Sequence, residues 1–254
     1  GKVMDHMFMD GLQSPYDQQM MGVFGEMCAE KYEFSRVDQD AFAAVSVERA
    51  QLAVHEGDFV DEIVPVTVKT RRGEHVCAED EEPHRCSLGK IPTLRPAFKK
   101  DGTVTAANAS KISDGAAATV LMTAADADAR GLEPLATIVA HATFAQEPEW
   151  FTTAPSTAIA MVVEKAGWKM EEVDLFEINE AFASVTMAAM ADNGLSHDKV
   201  NVYGGACALG HPIGASGARI LVTLIHALRK RDLKRGVASL CLGGGEAVAL
   251  AVEV

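Results

Sequence analysis

The sequence of 254 residues predicts an α/β fold, in which helices pack on a largely parallel sheet. Three observations lead to this prediction. From about Asp114 onward, short apolar runs alternate with longer amphipathic stretches, as strands alternate with helices in such folds. Glycines stand where most of the helix-like stretches end. The last two apolar runs are joined by Gly243, Gly244 and Gly245, which is typical of an antiparallel hairpin.

Composition and charge exclude several classes of protein. Hydrophobic residues make up 48% and charged residues 23% of the chain, an ordinary globular balance. The net charge of −13 does not suit a nucleic-acid partner, which favours a basic face. No apolar run approaches the roughly 18 residues of a membrane span, and no signal-peptide pattern opens the chain. The five scattered cysteines predict a reduced, cytoplasmic location rather than a disulfide framework.

The first part of the chain, residues 1–112, is predicted to be mixed and rich in loops. Ser35 is placed to cap a helix, with Asp38 in the first turn and apolar residues at helical spacing behind it. Residues 62–68 predict a short strand that contains a proline, and the charged residues 71–90 predict an exposed excursion. The chain begins with Gly1 rather than Met, which suggests a processed, cut or incomplete chain.

The second part is predicted to alternate regularly between strands and helices. Its predicted elements are a strand over 116–122, a helix over 123–130, a strand over 136–140, a helix over 155–166, a strand over 174–179, a helix over 180–192, a strand over 200–203, a helix over 217–231, and strands over 237–242 and 247–254. Sites in such folds gather where strands end and helices begin.

Three of these junctions carry polar groups. His211 lies between Gly210 and Pro212 in a glycine-rich segment, a setting that suits a general base or an oxyanion donor, although a structural histidine is the alternative. Cys241 precedes three glycines, so its thiol is a candidate base or nucleophile, or simply a buried apolar side chain. Asn179 ends a strand and is predicted either to cap the next helix or to position a water or a carbonyl oxygen.

A fourth cluster offers a rival interpretation. His75, Cys77, His84 and Cys86 together have the composition of a zinc site. Because His-x-Cys pairs are not a common zinc spacing, we favour a solvated loop and predict no metal.

Four segments together closely resemble the thiolase family of acetyl-CoA C-acetyltransferases. Residues 179–183, 204–219 and 241–245 resemble its three C-terminal motifs, in the same order and at similar spacing. Residues 102–117 resemble the segment that lines its coenzyme A tunnel. The long glycine–histidine motif around His211 is highly specific, and the resemblance extends over nearly the whole chain.

The resemblance implies a layered αβαβα fold, but an incomplete one. It assigns residues 1–112 to a coenzyme A-binding loop domain, 113–134 to the last strand and helix of an N-terminal half, and 135–254 to the C-terminal half. The N-terminal half of the family carries a nucleophilic cysteine, and none of the five cysteines here lies in a matching segment. We therefore expect the chain to be inactive alone.

The resemblance also implies a reaction: two acetyl-CoA condense to acetoacetyl-CoA, or a 3-ketoacyl-CoA is cleaved by CoA. His211 would activate the nucleophile and, with a water held by Asn179, stabilise the enolate oxygen. Cys241 would give or take the α-proton, and the N–H of Gly243 would help to hold the oxyanion. The alternative is a non-catalytic CoA-binding or assembly subunit with the same fold.

CoA thioesters are substrates in this scheme, and no cofactor is implied. Arg85 would meet the nucleotide phosphate, Ser110 would bind a pantetheine amide, and Phe98 and Phe182 would form apolar walls. The complete protein is expected to be a homodimer or homotetramer. The matched coenzyme A positions are Leu12, Met21, Arg85, Phe98, Ala106, Ala109, Ser110, Ala181 and Phe182.

Overall fold

Two helices dominate the first part of the chain. The computed structural model of the protein describes Gly1 and residues 3–254. Helix α1 spans Met21–Lys31 and helix α2 spans Arg36–Glu56. The predicted cap of α2 is confirmed, because Ser35 Oγ accepts a hydrogen bond from the Asp38 N–H at 3.1 Å while the Asp38 carboxylate accepts from the Ser35 N–H at 2.9 Å. This reciprocal arrangement fixes where the helix begins.

The predicted excursion is exposed, but it is not a plain loop. Strands β1 (Val66–Thr70) and β2 (Gly73–Cys77) form an antiparallel hairpin, followed by the short helix α3 (Glu82–Arg85). The predicted strand over 62–68 was placed too early, because β1 begins only after Pro65. Proline has no N–H to offer to a ladder, so it stands just before the strand instead of inside it.

The segment between residues 94 and 123 is irregular, but side chains hold part of it firmly. The buried Glu26 carboxylate accepts the backbone N–H groups of Thr103 at 2.8 Å and of Val104 at 3.0 Å. Asn108 Oδ1 accepts the Thr105 N–H at 2.7 Å. These bonds replace the backbone pairing that a helix or strand would supply.

The strand predicted over 116–122 is wrong. These residues form no regular element, and Val120 and Leu121 are 86% and 70% exposed. In the part of the chain that the structure describes, no strand lies alongside them. A strand needs a neighbour for its N–H and C=O groups, so apolar character alone is not sufficient to form one.

The rest of the chain alternates between helices and strands. Its elements are α4 (Ala124–Arg130), β3 (Thr137–Ala145), α5 (Ala154–Lys165), β4 (Leu175–Ile178), α6 (Ala183–Asn193), α7 (Ala206–Leu209), α8 (Ile213–Lys230), β5 (Arg235–Leu242) and β6 (Glu246–Glu253). Residues 200–203, predicted as a strand, contribute only isolated bridges such as Val200 to Phe176. Helices α6 and α8 also begin three residues later and four residues earlier, respectively, than predicted.

These strands form one sheet in the order β3-β6-β5-β4. Only β4 and β5 pair in parallel, whereas β5 with β6 and β6 with β3 pair antiparallel. The α/β class is confirmed, but the expectation of a largely parallel sheet is wrong for these four strands. The reason is that the predicted hairpin places the reversed strand β6 at the centre of the sheet.

Both faces of the sheet are covered by helices. Ile159 and Val162 of α5 pack with Val237 of β5, while Leu224 of α8 packs with the next strand residue, Ala238. Successive strand side chains point to opposite faces, so α5 and α8 lie on opposite sides of the sheet. Among the described residues, no helix is both long enough and apolar enough to cross a bilayer.

Candidate active site

Two predicted site residues lie at the same edge of the sheet. Asn179 follows β4, and Cys241 lies near the end of β5. Because β4 and β5 are parallel neighbours, with Ile178 opposite Ser239, their carboxyl ends meet. The Asn179 N–H donates to the Ser239 carbonyl at 3.0 Å and continues this pairing by one bond. The structure therefore brings together two motifs that lie 62 positions apart in the sequence.

His211 reaches this edge from the loop between α7 and α8. Its backbone N–H donates to the Lys111 carbonyl at 2.9 Å. Gly210 has a φ of +100°, and a Cβ there would lie about 2.0 Å from the Ser113 hydroxyl, so only glycine fits before the histidine. The imidazole lies between Ser216 Oγ at 2.5 Å from Nδ1 and Asn179 Nδ2 at 3.3 Å from Nε2.

These contacts define which ring nitrogen carries the proton. The Ser216 hydroxyl donates to the Pro212 carbonyl at 3.2 Å, so it accepts from Nδ1–H of His211. Nε2 is then the unprotonated nitrogen and accepts from the Asn179 amide. Burial, and then the charge of Arg219, lower the pKa of His211 to about 4, so the ring is neutral at pH 7. A neutral imidazole whose Nε2 carries no proton is a proton acceptor.

Asn179 is not the helix cap that one interpretation predicted. Helix α6 begins at Ala183 after Phe182, and the Asn179 backbone pairs with β5 instead. The side chain is 1% exposed, and its Oδ1 has no hydrogen-bond partner among the described residues. A buried amide oxygen without a partner is costly, and it is available to accept a hydrogen bond from a bound group.

Cys241 lies in an apolar surrounding. It packs with Phe24, Phe151 and Phe182 in one buried cluster, and burial raises the pKa of its thiol to about 12. The thiol is therefore protonated at neutral pH. Gly243 lies just beyond it, where a Cβ would approach Met21 Cε to 2.9 Å.

Five of the nine predicted coenzyme A positions share the cluster around Cys241. Phe98 and Phe182 meet edge to face with ring centroids 6.2 Å apart, and the Ser110 N–H donates to the Ala181 carbonyl at 3.0 Å. The second of these contacts places Ser110 beside the cluster. The five positions are Met21, Phe98, Ala109, Ala181 and Phe182.

The remaining three positions lie outside this cluster. Leu12 ends a short helical turn, Phe8–Leu12, in which a Cβ on Gly11 would lie 3.2 Å from Ile213 at the start of α8. The carbonyl of Ala106 accepts a hydrogen bond from the Lys111 ammonium at 2.5 Å. Arg85 is exposed on α3 and pairs with Glu81 at 2.6 Å and Glu82 at 3.0 Å, so its charge is already engaged by two carboxylates.

Two residues of the site were missed by sequence reasoning. Ser216, which sets the proton position on His211, lies inside the glycine–histidine motif (residues 204–219), five residues after the histidine. Glu180 is fully buried and accepts hydrogen bonds from Ser46 Oγ, Asn201 Nδ2 and the Cys207 N–H at 2.7–3.0 Å. A carboxyl directly after Asn179 was the available signal, since an acid in an otherwise apolar strand-to-helix junction must find donors.

The rival cluster does not assemble. Within Gly1 and residues 3–254, no three His, Cys, Asp or Glu side chains lie close enough to hold a metal ion. His84 Nε2 instead contacts the Glu79 carboxylate at 3.2 Å. The zinc alternative therefore has no geometric support.

Comparison with known proteins identifies the family. The thiolase N-terminal domain model matches residues 1–125, and the thiolase C-terminal domain model matches residues 132–254. An acetyl-CoA acetyltransferase of Chromobacterium violaceum is 50% identical over 254 residues, which are 99% of this chain and 65% of that protein. The chain therefore belongs to the thiolase family.

Solved structures support the same assignment. The Bacillus anthracis acetyl-CoA acetyltransferase superimposes with a TM-score of 0.96 at 45% identity, over 100% of this chain and 64% of that one. Human mitochondrial 3-ketoacyl-CoA thiolase gives a TM-score of 0.91 at 35% identity, over 99% of this chain and 64% of that one. The chain thus has a thiolase-like fold and spans about 65% of the length of the curated relatives it matches.

Proposed function

We propose that this chain supplies the proton-transfer and enolate-binding part of a thiolase active site. The reaction is acyl transfer between CoA thioesters: condensation of two acetyl-CoA to acetoacetyl-CoA, or cleavage of a 3-ketoacyl-CoA by CoA. The observation that carries the proposal is the chain of contacts from Ser216 through His211 to Asn179, at the same sheet edge as Cys241. The names of the relatives agree with this chemistry.

His211 and Asn179 form the polar side of the proposed site. In cleavage, the unprotonated Nε2 of His211 takes the proton of a cysteine nucleophile, whose thiolate attacks the 3-keto carbon. The imidazolium formed then has an N–H to donate to a developing oxyanion. The unpaired Oδ1 of Asn179 would hold a water at the same place.

Cys241 and Gly243 form the opposite side of the proposed site. When the bond between the α-carbon and the keto carbon breaks, its electron pair passes to the α-carbon of the departing acetyl-CoA enolate, and the Cys241 thiol protonates that carbon. The thiol of CoA then gives its proton to the Cys241 thiolate, and its sulfur attacks the acyl carbon. The nucleophile leaves as a thiolate and takes back its proton from His211, so both residues return to their starting state. The raised pKa of Cys241 suits this order, because a resting thiol is the form that gives a proton. The Gly243 N–H would hold the tetrahedral oxyanion.

The apolar cluster beside Cys241 is the proposed pantetheine wall. Met21, Phe98 and Phe182 supply its surface, and Ser110 would hydrogen-bond an amide of the ligand. Leu12, Ala106, Ala109 and Ala181 would line the same path. Arg85 would bind the nucleotide phosphate after exchanging Glu81 and Glu82 for it.

The proposal requires a nucleophile from outside residues 1–254. Cys207 is fully buried, and burial raises its pKa well above the usual range. Cys28 lies buried in helix α1, and its Sγ is directed at the Ser184 carbonyl at 3.5 Å.

The reaction needs no cofactor, and the complete protein is proposed to be a homodimer or homotetramer. All five cysteines are unpaired, which supports a reducing, cytoplasmic location.

A thiolysis assay tests this proposal. Acetoacetyl-CoA and CoA are given to the chain alone, and to the chain joined to the part of the Chromobacterium violaceum relative that it does not cover. We expect turnover only in the joined protein, and a loss of about 10²–10⁴-fold in His211→Asn. Cys86→Ser, which changes a thiol outside the cluster, is the matched control and should retain full activity.

Three other outcomes of the assay would contradict the proposal. Turnover by the chain alone would refute the need for an external nucleophile. CoA binding by a joined protein that shows no turnover would instead favour the assembly subunit. Full activity of His211→Asn would remove the central residue of the proposal.

A further inference from the structure

A second bridge joins strand β4 to helix α8 behind the candidate active site. Glu177 and Asn179 lie two residues apart in chain order at the end of β4, so they point to the same face. Ser216 and Arg219 lie three residues apart on α8, so they also share a face. Asn179 and Ser216 meet at His211, and Glu177 Oε2 lies 3.8 Å from Arg219 Nη1. The contact between Glu177 and Arg219 is therefore one layer behind the histidine.

This second layer is almost sealed from solvent. The Glu177 and Arg219 side chains are 3% and 19% exposed. Glu177 Oε1 and the Nε and Nη2 groups of Arg219 are buried without hydrogen-bond partners among the described residues. Burial of a charge with so few hydrogen bonds is expensive, so the arrangement is not explained by stability alone.

Other carboxyls surround the same arginine. Arg219 Nη1 donates to Thr223 Oγ1 at 3.5 Å, and Thr223 Oγ1 donates to Glu62 Oε1 at 2.9 Å. The charge of Arg219 also acts on Asp80, from the segment after β2. Arg219 thus contacts Glu177 directly, reaches Glu62 through Thr223, and acts on Asp80 through its charge.

Further charged groups act on the pair from the elements packed around it. The charges of Glu180 and Arg49 also act on Glu177. Burial raises the pKa of Glu177 to about 8 and that of Glu62 to about 7. At pH 4–5 both carboxyls are therefore protonated, whereas Arg219 keeps its positive charge.

We propose that Arg219 is a positioning residue for His211: its guanidinium on α8 contacts Glu177 of β4 behind the histidine, and this contact keeps Ser216 and Asn179 on either side of the ring. This inference rests on the proposed function for its catalytic meaning. The contacts that carry it, however, are independent of any reaction. After burial, the positive charge of Arg219 also opposes protonation of the imidazole, so the pKa of His211 reports on the position of the guanidinium.

NMR titration of the 254-residue chain tests the inference without catalysis. Histidine labelled with ¹⁵N and ¹³C gives the pKa and tautomer of each ring, and a His211→Asn sample identifies the signal. We expect Arg219→Gln to raise the pKa of His211, because one of the two causes that lower it is removed, and to mix its two neutral tautomers. Arg219→Lys, which keeps the charge, should leave the pKa near that of the unaltered chain.

The control is Arg235→Met. Arg235 also pairs with two carboxylates, Glu172 and Glu253, but it lies at the opposite end of β5. Arg235→Met should leave the pKa and the tautomer of His211 unchanged. Glu177→Gln and Glu62→Gln should also leave the pKa of His211 unchanged, because both carboxyls are already neutral where that histidine titrates.

Several outcomes would overturn the inference. The first is an unchanged pKa and tautomer of His211 in Arg219→Gln. If Arg219→Gln does not fold, Arg219→Lys and the two carboxyl variants decide: a raised pKa of His211 in any of these three contradicts the charge argument. Activity is read separately in the joined protein, where Arg219→Gln should lower kcat more than it raises KM and Arg219→Lys should restore kcat. Absence of thiolysis in the joined protein, with the NMR result as expected, would refute the proposed function and leave the role of Arg219 intact.

Discussion

His211 shows how three neighbours determine the chemistry of one side chain. Gly210 allows the backbone turn, Ser216 fixes the proton on Nδ1, and Asn179 meets Nε2. Burial and Arg219 keep the ring neutral. None of these effects belongs to a histidine in isolation, whose ordinary pKa of about 6.5 would leave it mixed near neutrality.

The first prediction concerns Ser216. Ser216→Ala removes the acceptor of Nδ1–H, so the imidazole loses its fixed orientation and tautomer. In the joined protein we expect kcat for thiolysis to fall about tenfold, the equivalent of one hydrogen bond of about 1.4 kcal/mol. Steady-state kinetics of acetoacetyl-CoA cleavage measures this loss.

Ser239→Ala is the matched control for that experiment. Ser239 is equally buried, and its hydroxyl donates to the Val248 carbonyl at 2.9 Å, away from His211. Its loss should lower the free energy of unfolding with little effect on kcat. An equal loss of kcat in both variants would indicate a general packing defect instead of a role for Ser216.

At the scale of elements, two glycines hold the same place in two helices but have different surroundings. Gly22 is the second residue of α1, and a Cβ there would lie about 2.2 Å from the Phe98 ring. Gly214 is the second residue of α8, and a Cβ there would meet nothing within 4 Å. Neither has a positive φ, so packing alone distinguishes them.

This difference gives the second prediction. Gly22→Ala should lower the free energy of unfolding by about 1–3 kcal/mol, because Phe98 must move away from the proposed pantetheine wall. Gly214→Ala should raise it by about 0.5–1 kcal/mol, because alanine loses less entropy in a helix. Chemical denaturation of the two variants measures both changes. A loss of stability in both would mean that the helix position, and not Phe98, is responsible.

At the scale of the whole molecule, buried ionisable groups link stability to pH. Glu62 and Glu177 have a raised pKa in the fold, so the stability they contribute is present at low pH and is lost as the pH rises through about 7 and 8. His197 and His211 have a pKa lowered to about 4, so their contribution is lost as the pH falls from about 6.5 toward 4. Between pH 6.5 and 8 the two carboxyls therefore dominate the pH dependence of the free energy of unfolding.

The third prediction follows from that window. The free energy of unfolding should fall as the pH rises from about 6.5 to about 8, and Glu177→Gln should flatten the decline because its amide does not ionise. Urea denaturation at several pH values measures the slope. Glu164→Gln, which changes an exposed glutamate of α5, should keep the original slope. An unchanged slope in Glu177→Gln would show that this carboxyl does not titrate in the window.

Sequence patterns predicted the local elements of the C-terminal part better than their pairing. Helices α4, α5 and α8 and the final hairpin were recognised from amphipathic spacing and glycine stops, which depend only on nearby residues. The apolar run over 116–122 predicted a strand that does not form. Strand formation depends on a partner elsewhere, and no local pattern can supply that information.

The sequence predicts which residues form the candidate site, but not the hydrogen bonds and charge interactions that connect them. His211, Asn179 and Cys241 are predicted because each stands where a strand meets a helix or a turn, and His211 and Cys241 also lie next to glycines. Ser216 and Arg219, whose effects on His211 depend on their position in the fold, are not predicted, because both resemble ordinary helix residues until their partners are known.

By itself, the sequence determined the α/β class, the family resemblance and the residues at the strand ends. These follow from periodicity, from glycine positions and from a long specific motif, all of which are local along the chain. Only the tertiary structure decided that β6 enters the sheet centre, that residues 116–122 stay exposed, and that His211 is neutral with its proton on Nδ1. The physical reason is that pairing, burial and the pKa of a group depend on residues that are distant in the chain and meet only in the folded protein.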